Sequence, residues 1–248
     1  MTMLILSPRY TDDSIRLRRA ALASGWQVER LQNYRVPEHL PRTDVALYGE
    51  ALFSGIIAEQ LNHNLIDCPQ DWLAHLPYKY LQRDVQYMTL NEARRQDYPR
   101  FVKPAAGKTF EAQVYQSAEE LPAAAYQDDA MGVYVAEPVT WDIEYRCFIH
   151  NRNIITASSY RGETVNDETW SSNPDENATM QTFCSQFLSD TTIDMPVAYV
   201  LDVGRIAERG WAVIESNPVW ASGLYGCESI KILPLLAAAC VPQNHSRI

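Results

Sequence analysis

The chain has 248 residues, 46% hydrophobic and 21% charged, with a formal net charge of −10. This is enough apolar material for one large core or two to three smaller lobes. The acidic balance argues against a broad nucleic-acid or anionic-membrane surface, because such surfaces need a basic footprint.

The N-terminal "MTMLILSPRY" has only a short apolar run, so it reads as a first strand and not as a signal peptide. "DDSIRLRRAALASG" follows as a helix, with Asp12 or Asp13 as cap, apolar positions at Ile15, Leu17, Ala21 and Leu22, and Gly25 as stop. "WQVERL" and "DVALYG" are strands, "ALFSGIIAEQLN" is a helix, and "HNLIDCP" is a further extended piece. Strands separated by helices imply parallel pairing in a small α/β layer. No GxGxxG or Walker glycine loop follows any of these strands, so this layer is not a simple nucleotide site.

"PYKYLQRDVQYM" suits a helix, and "NEARRQD" a short helix capped by Asn91. "RFVKPAAGKTFEAQVY" reads as strand, small-residue turn and strand; "SAEELPAAAYQDD" is helix and loop. "MGVYVAEPVTWDIEYRCFIH" is two strands broken at Glu137–Pro138, and "IITASSY" is another. "NPDENATMQTFCSQFLSD" is a helix with Met180, Phe183, Phe187 and Leu188 on one face. "PVAYVLDVG" and "GWAVIESNP" are two final strands joined by a short polar connection. "ILPLLAAACV" is about half the roughly 20 residues a membrane helix needs and reads as a core helix. The five cysteines show no CxxC or Cys/His metal spacing, which fits reduced, mostly buried thiols of a cytoplasmic protein.

Three stretches carry candidate chemistry. In a strand, residues two apart share a face. Glu215 and Asn217 therefore point one way, and a hairpin turning at Glu208–Arg209 or at Arg209–Gly210 brings Asp202 onto the same face. Like charges across a strand pair repel; a hard cation reverses that penalty, and Asp, Glu and Asn supply the oxygen ligands magnesium prefers. In "FVKP", Lys103 ends an apolar strand and is held extended by Pro104. It either reaches solvent or meets an anion, and Lys108 follows across the turn. In "DIEYRCFI", Glu144, Arg146 and Phe148 share one face while Ile143, Tyr145, Cys147 and Ile149 form the core face. An Arg held by a neighbouring Glu is set to bind phosphate, and Arg161 adds a second guanidinium. No GxSxG or HxxxH spacing appears, and His39, His63, His75, His150 and His245 are dispersed.

The ordered set "FVKP…EPV…EYRCFI…YVLDVG…VIESNPVWASGLYG" resembles the ATP-grasp superfamily, and within it the small phage- and bacteria-associated group of the carboxylate–amine ligase type. The similarity covers about residues 76 to 232. It implies an α/β and α+β ATP-grasp fold with an N-terminal Rossmann-like preceding domain over 1–75. A small lobe with a phosphate-side lid would cover 76–130, and a large lobe with hinge and metal site 131–248. By the same resemblance the two lobes grip ATP. Lys103 would contact the α- or β-phosphate, with Lys79 and Lys108 as further phosphate lysines. Glu137 and the backbone near Val139 would meet adenine, and Glu144 would sit near the ribose or orient Arg146. Asp202, Glu215 and Asn217 would hold one or two magnesium ions. Arg146 and Arg161, with Lys103, would stabilise an acyl phosphate formed from a substrate carboxylate, which an amine then displaces to give an amide. Tyr160, Trp220, Ser222 and Tyr225 would line the acceptor pocket. The implied substrate is a small molecule, amino acid or peptide, with no nucleic acid or membrane partner. The alternatives are a phosphotransferase on the same scaffold, or a non-catalytic nucleotide-binding protein. The segment "KPAAGKTF" departs from the pattern in having only one glycine.

Overall fold

The structure is a computed structural model that describes residues 1–160 and 174–243. The chain packs as two compact units. The first takes the described residues of Met1–Cys68, Ile143–Val203 and Glu215 onward; the second takes Pro69–Asp142 and Gly204–Ile214.

The first unit begins with β1 (Met3–Leu6), α1 (Asp12–Ala23), β2 (Gln27–Arg30), β3 (Val45–Tyr48), α2 (Ala51–Leu61) and β4 (His63–Leu65). Strands β2-β1-β3 form a parallel sheet, with Leu4 paired to Val28 and to Ala46. All four residues of β1 are buried, as expected for a parallel strand covered on both faces. Helix α1 is capped by Thr11, not by Asp12 or Asp13: the Thr11 hydroxyl accepts from Ser14 N while Ser14 Oγ accepts from Thr11 N. This reciprocal box satisfies two end donors and leaves the Asp13 carboxylate for another use. The buried stripe of α1 is Ser14, Leu17, Ala20 and Ala21. Leu22, expected inside, lies off that stripe and is 48% exposed.

The second unit holds α3 (Tyr78–Leu81), β5 (Val85–Thr89), α4 (Leu90–Ala93), β6 (Arg100–Pro104), β7 (Gln113–Tyr115) and β8 (Gly132–Ala136). The strands form an antiparallel sheet in the order β5-β8-β6-β7. Two expectations fail here. The helix read over residues 77–88 stops at Leu81, because Gln82 takes a left-handed cap conformation (φ 52°) and the following residues pair with β8 as a strand; sheet pairing overrides local preference. The short helix α4 is capped by Thr89 with Glu92, not by Asn91. One face of the sheet, including Val102, Val133 and Val135, packs on Leu90, Ala93, Tyr115 and Leu121.

β9 (Trp141–His150), β10 (Asn153–Tyr160), β11 (Ala198–Ile206) and β12 (Gly210–Asn217) form a four-stranded sheet in the order β10-β9-β11-β12. α5 (Pro174–Ser189), α6 (Ser229–Ala238) and β13 (Cys240–Pro242) complete the chain, with β13 antiparallel to β4. The turn between β11 and β12 places Glu208 at φ 62° and Gly210 at φ 98°. Both faces of β9 are buried, since Tyr145, Cys147, Phe148 and Ile149 are all at 0% exposure. Phe148, Ala198 and Val200 join Leu4, Leu17 and Leu233 in one apolar cluster. That cluster is the floor on which the polar site rests.

Candidate active site

Residues two apart on a strand share a face. The apolar rows Phe148 on β9 and Ala198–Val200 on β11 therefore continue, on the same faces, into Arg146, Glu144 and Asp202. Strand β10 pairs Thr156 with Phe148, Ser158 with Arg146 and Tyr160 with Glu144. One sheet face thus passes from hydrocarbon to charge within two residues.

Arg146 and Asp202 form the centre. Nε of Arg146 donates to Oδ1 of Asp202 at 2.9 Å and Nη2 donates to Oδ2 at 2.6 Å. Asp202 has no exposed surface and Arg146 is 8% exposed. Burial works against the charge on Arg146, but the carboxylate beside it outweighs burial and lifts the guanidinium above its ordinary range. The sequence reading gave Arg146 to Glu144 as its holder. The structure gives it to Asp202, because a cross-strand neighbour is nearer than a residue two positions along the same strand. Nδ2 of Asn217 donates to Oδ2 of Asp202 at 3.2 Å and to Oε1 of Glu215 at 2.8 Å, so those three side chains do converge. Burial raises the Glu144 carboxyl; a Tyr160 hydrogen bond opposes this, while Asp202 and Glu215 add to it.

The loop after β12 is held by side chains from four elements. Tyr48 donates its hydroxyl to Ser222 O at 3.0 Å, and Nη1 of Arg146 donates to Gly223 O at 3.1 Å. Leu224 N donates to Oδ2 of Asp13 at 3.0 Å, and Nη2 of Arg16 donates to Cys227 O at 2.6 Å. Gly226 N donates to Ser158 Oγ and Glu228 N to Thr156 Oγ1, both at 3.1 Å. The loop carries Tyr225 at φ 47°, a conformation non-glycine residues keep only where their surroundings enforce it. The Tyr225 ring lies flat on Tyr160, with centroids 4.8 Å apart and planes within 2°. The Arg146 guanidinium carbon is 4.7 Å from the Tyr225 ring centroid. Asp13, Arg16, Tyr48, Thr156 and Ser158 were not legible as site residues. Nothing local in "TDDSIRLR" marks a partner more than 200 residues away.

The other expected substrate residues are spent on packing. Trp220 is 9% exposed and donates its indole N–H to Ile66 O at 3.0 Å. Ser222 is buried and donates to Pro218 O at 2.6 Å. Arg161 lies outside the described residues.

In the second unit, Lys103 stands on the sheet face opposite Val102. It is paired to Tyr134, and its ammonium is 5.7 Å from that ring centroid. Lys79 is exposed on α3, 4.6 Å from the Tyr80 ring centroid, and Lys108 is exposed in the connection after β6. Glu137 follows β8, but Arg209 takes both its carboxylate oxygens at 2.7 and 3.0 Å and holds its pKa below the usual range. The Glu137 backbone N–H donates to Asp84 O. Val139 is half-buried in the segment between β8 and β9.

Glu215 and Asn217 offer hard oxygen ligands and are partly exposed, so they fit a magnesium ion with its waters. Asp202 lies beside them, accepting from Arg146 and Asn217 and within hydrogen-bonding reach of the Glu215 carboxyl. Among the described residues, no group of three or more His, Cys, Asp and Glu side chains is arranged to hold a metal.

This architecture is that of ATP-grasp proteins. The structure is similar to a RimK domain ATP-grasp protein from Sphaerobacter thermophilus DSM 20745, with a TM-score of 0.60 at 14% identity, over 96% of this chain and 97% of that one. It is similar to the D-cycloserine synthetase DcsG, with a TM-score of 0.57 at 14% identity over 95% and 98%. It is also similar to the ATP-grasp ligase PsnB complexed with precursor peptide PsnA2 and AMPPNP, with a TM-score of 0.53 at 12% identity over 96% and 97%. More narrowly, the chain belongs to the ATP-grasp domain, R-two-K clade, family 2, whose profile matches residues 80–235. No curated protein matches the sequence.

Proposed function

We infer that the protein is an ATP-dependent carboxylate–amine ligase that works through an acyl phosphate. The observation that carries this reading is the constellation of Arg146, Asp202, Glu215 and Asn217 on one sheet face of an ATP-grasp chain. Transfer of a γ-phosphoryl group to a carboxylate needs positioning and charge neutralisation more than a protein nucleophile. In this reading Lys103 binds the α- or β-phosphate, with Lys79 and Lys108 as further phosphate ligands. Adenine is met by backbone near Val139, since the Glu137 carboxylate is committed to Arg209. Glu144 is placed near the ribose or orients Arg146, and residues 1–75 serve as a Rossmann-like preceding domain.

Asp202, Glu215 and Asn217 would hold magnesium, which neutralises charge on the phosphates when bound. Arg146 would face the charge that develops as the substrate carboxylate attacks phosphorus and ADP leaves, and Arg161 is the second guanidinium assigned to that role. An amine then attacks the acyl carbon, phosphate departs, and the amine gives up its proton. Tyr160 and Tyr225 wall the acceptor side. PsnB is described with a precursor peptide and DcsG as a synthetase of a small molecule, so the acceptor proposed here is an amino acid, a peptide or a comparable amine. No helix among the described residues is long and apolar enough to cross a membrane, and all five thiols are free and buried, which is compatible with the expected cytoplasmic location.

The test is a product-mass screen of the purified protein with ATP, magnesium and pools of amino acids and peptides. ADP with a dehydrated adduct supports the ligase. ADP with a stable phosphorylated product would assign a phosphotransferase instead. No nucleotide turnover with any pool, while ATP still raises the melting temperature, would leave a binding protein.

A further inference from the structure

We propose that Asp13 and Arg16 of α1 are positioning residues for the acceptor. Together they hold Tyr225 in its left-handed conformation, and so set the aromatic wall against which the acceptor lies. The role toward the acceptor rests on the ligase reading above; the hold on Tyr225 does not.

The backbone from Leu224 to Glu228 is bonded from two sides. On one side, Oδ2 of Asp13 accepts from Leu224 N at 3.0 Å, Nη1 of Arg16 donates to Tyr225 O, and Nη2 of Arg16 donates to Cys227 O at 2.6 Å. On the other side, Ser158 and Thr156 of β10 accept from Gly226 N and Glu228 N. The bonds from α1 are the ones that bracket Tyr225, since Leu224 N lies before its Cα and its own carbonyl lies after. A φ of 47° is costly for a residue with a side chain and persists only where its surroundings enforce it. Both bracketing bonds involve an ionised side chain, which makes them stronger than neutral ones.

The two side chains work as a unit. Positions three apart on a helix are neighbours, and Oδ1 of Asp13 is 3.5 Å from Nη1 of Arg16. One carboxylate oxygen therefore steadies the guanidinium while the other accepts from the loop. The planar fork then reaches two carbonyls at once, which a lysine ammonium does not reproduce. Both residues are half-buried on the flank of the apolar stripe of α1, so they are not needed to fill a core.

What this clamp fixes is a ring. Tyr225 lies flat on Tyr160 and beside the Arg146 guanidinium, and both rings are half-buried, which leaves aromatic surface for a substrate. The next residue lets the loop come this close to β10: a Cβ at Gly226 would lie 2.6 Å from Ser158 Oγ.

Two readouts separate the hold on the ring from its use. The first needs no substrate. Protein labelled with meta-fluorotyrosine is followed by fluorine NMR, with the Tyr225 and Tyr199 signals assigned through Tyr225→Phe and Tyr199→Phe. Arg16→Met and Asp13→Ala should each move the Tyr225 signal toward its position in the urea-unfolded protein. Asp13→Asn keeps an acceptor oxygen for Leu224 N and should move it less than Asp13→Ala. Tyr199 is fully buried and its signal should stay in place. A Tyr225 signal unmoved in both Arg16→Met and Asp13→Ala overturns the proposal. So does a Tyr199 signal that moves with it, because that is general loosening.

The second readout is steady-state kinetics with ATP, magnesium and the amine recovered as a dehydrated adduct in the product-mass screen. Arg16→Met should raise the KM for that amine about tenfold or more, the worth of one charge-assisted hydrogen bond, and leave the KM for ATP unchanged. An unchanged KM for the amine, or an equal rise in both, overturns the role toward the acceptor. Absence of any adduct from the unsubstituted protein is a different failure: it removes the ligase reading and the acceptor role with it, while the fluorine signals still decide whether α1 holds Tyr225.

Discussion

Arg146→Met tests the centre of the site most directly. The substitution removes the guanidinium that compensates Asp202 through a two-point bond at 2.9 and 2.6 Å, and leaves a fully buried carboxylate that still accepts from Asn217. Breaking a buried pair from one side costs about 3–5 kcal/mol, because the other charge stays buried. Gly223 O also loses a donor, but Gly223 is only half-buried and water replaces most of that bond. For a chain of this size the expected loss is about 6–20 °C in melting temperature. The loss should depend on pH. Burial already raises the Asp202 carboxyl in the unsubstituted protein, against the Arg146 charge and with Glu215 adding to it. Without the guanidinium its folded pKa lies still further above the unfolded value of about 3.9. The folded state binds more protons than the unfolded state, so the contribution is fully favourable below about pH 4 and is lost as pH rises through the folded pKa. The deficit against the unsubstituted protein should therefore be largest near pH 8 and shrink toward pH 4.5. Differential scanning calorimetry at both pH values reads this. Adding Asp202→Leu should recover most of the loss at pH 8. A single variant within about 1 kcal/mol of the parent at pH 8, or a deficit independent of pH, would refute the argument.

Further expectations follow from the same geometry. Thr11→Ala removes the cap of α1 and should cost about 1 kcal/mol, or about 2–4 °C, by thermal melting. Gly49→Ala would place a methyl 2.7 Å from Ser7 Cβ and 2.8 Å from Phe53 Cδ1, both in well-packed surroundings. A cost of about 1–3 kcal/mol is expected, and a neutral result in a denaturant melt would show that β3 and α2 can shift apart. Lys103→Ala should weaken AMPPNP binding about tenfold or more, the value of a charge-assisted bond, with the melting temperature of the nucleotide-free protein unchanged. Unaltered affinity in calorimetry would move the phosphates elsewhere.

Strand alternation proved a good guide within single strands and a poor one between them. It put Glu215 and Asn217 on one face and brought Asp202 toward them, and Asn217 does bridge the two carboxylates. It also separated Arg146 from the buried Tyr145 and Cys147. Alternation could not show that Arg146 turns to Asp202 and away from Glu144, because that choice depends on the order of strands β9 and β11 in the sheet. The helix misread at residues 82–88 has a similar origin. "VQYM" is a strand because β8 lies beside it, and β8 is more than 40 residues later in the chain. The cap of α1 was within reach of the sequence: Thr11 precedes Ser14 at capping-box spacing, but two adjacent aspartates drew the assignment one residue too far. The clamp on the loop 222–228 had no such signal, since its donors and acceptors come from four separated elements.

That clamp has a consequence for how the chain is made. Asp13 meets Leu224, and Arg16 meets Cys227, each across 211 residues of sequence. At about 5–20 residues added per second, α1 leaves the ribosome roughly 10–40 s before its partners exist. The first helix can form in that interval, because its cap is local, although its stripe of Leu17, Ala20 and Ala21 also packs on α6, which is made last. The acceptor wall cannot. Biosynthesis therefore assembles the scaffold first and the reacting surface last, so a ribosome stalled before residue 224 carries the N-terminal layer without the wall of its site.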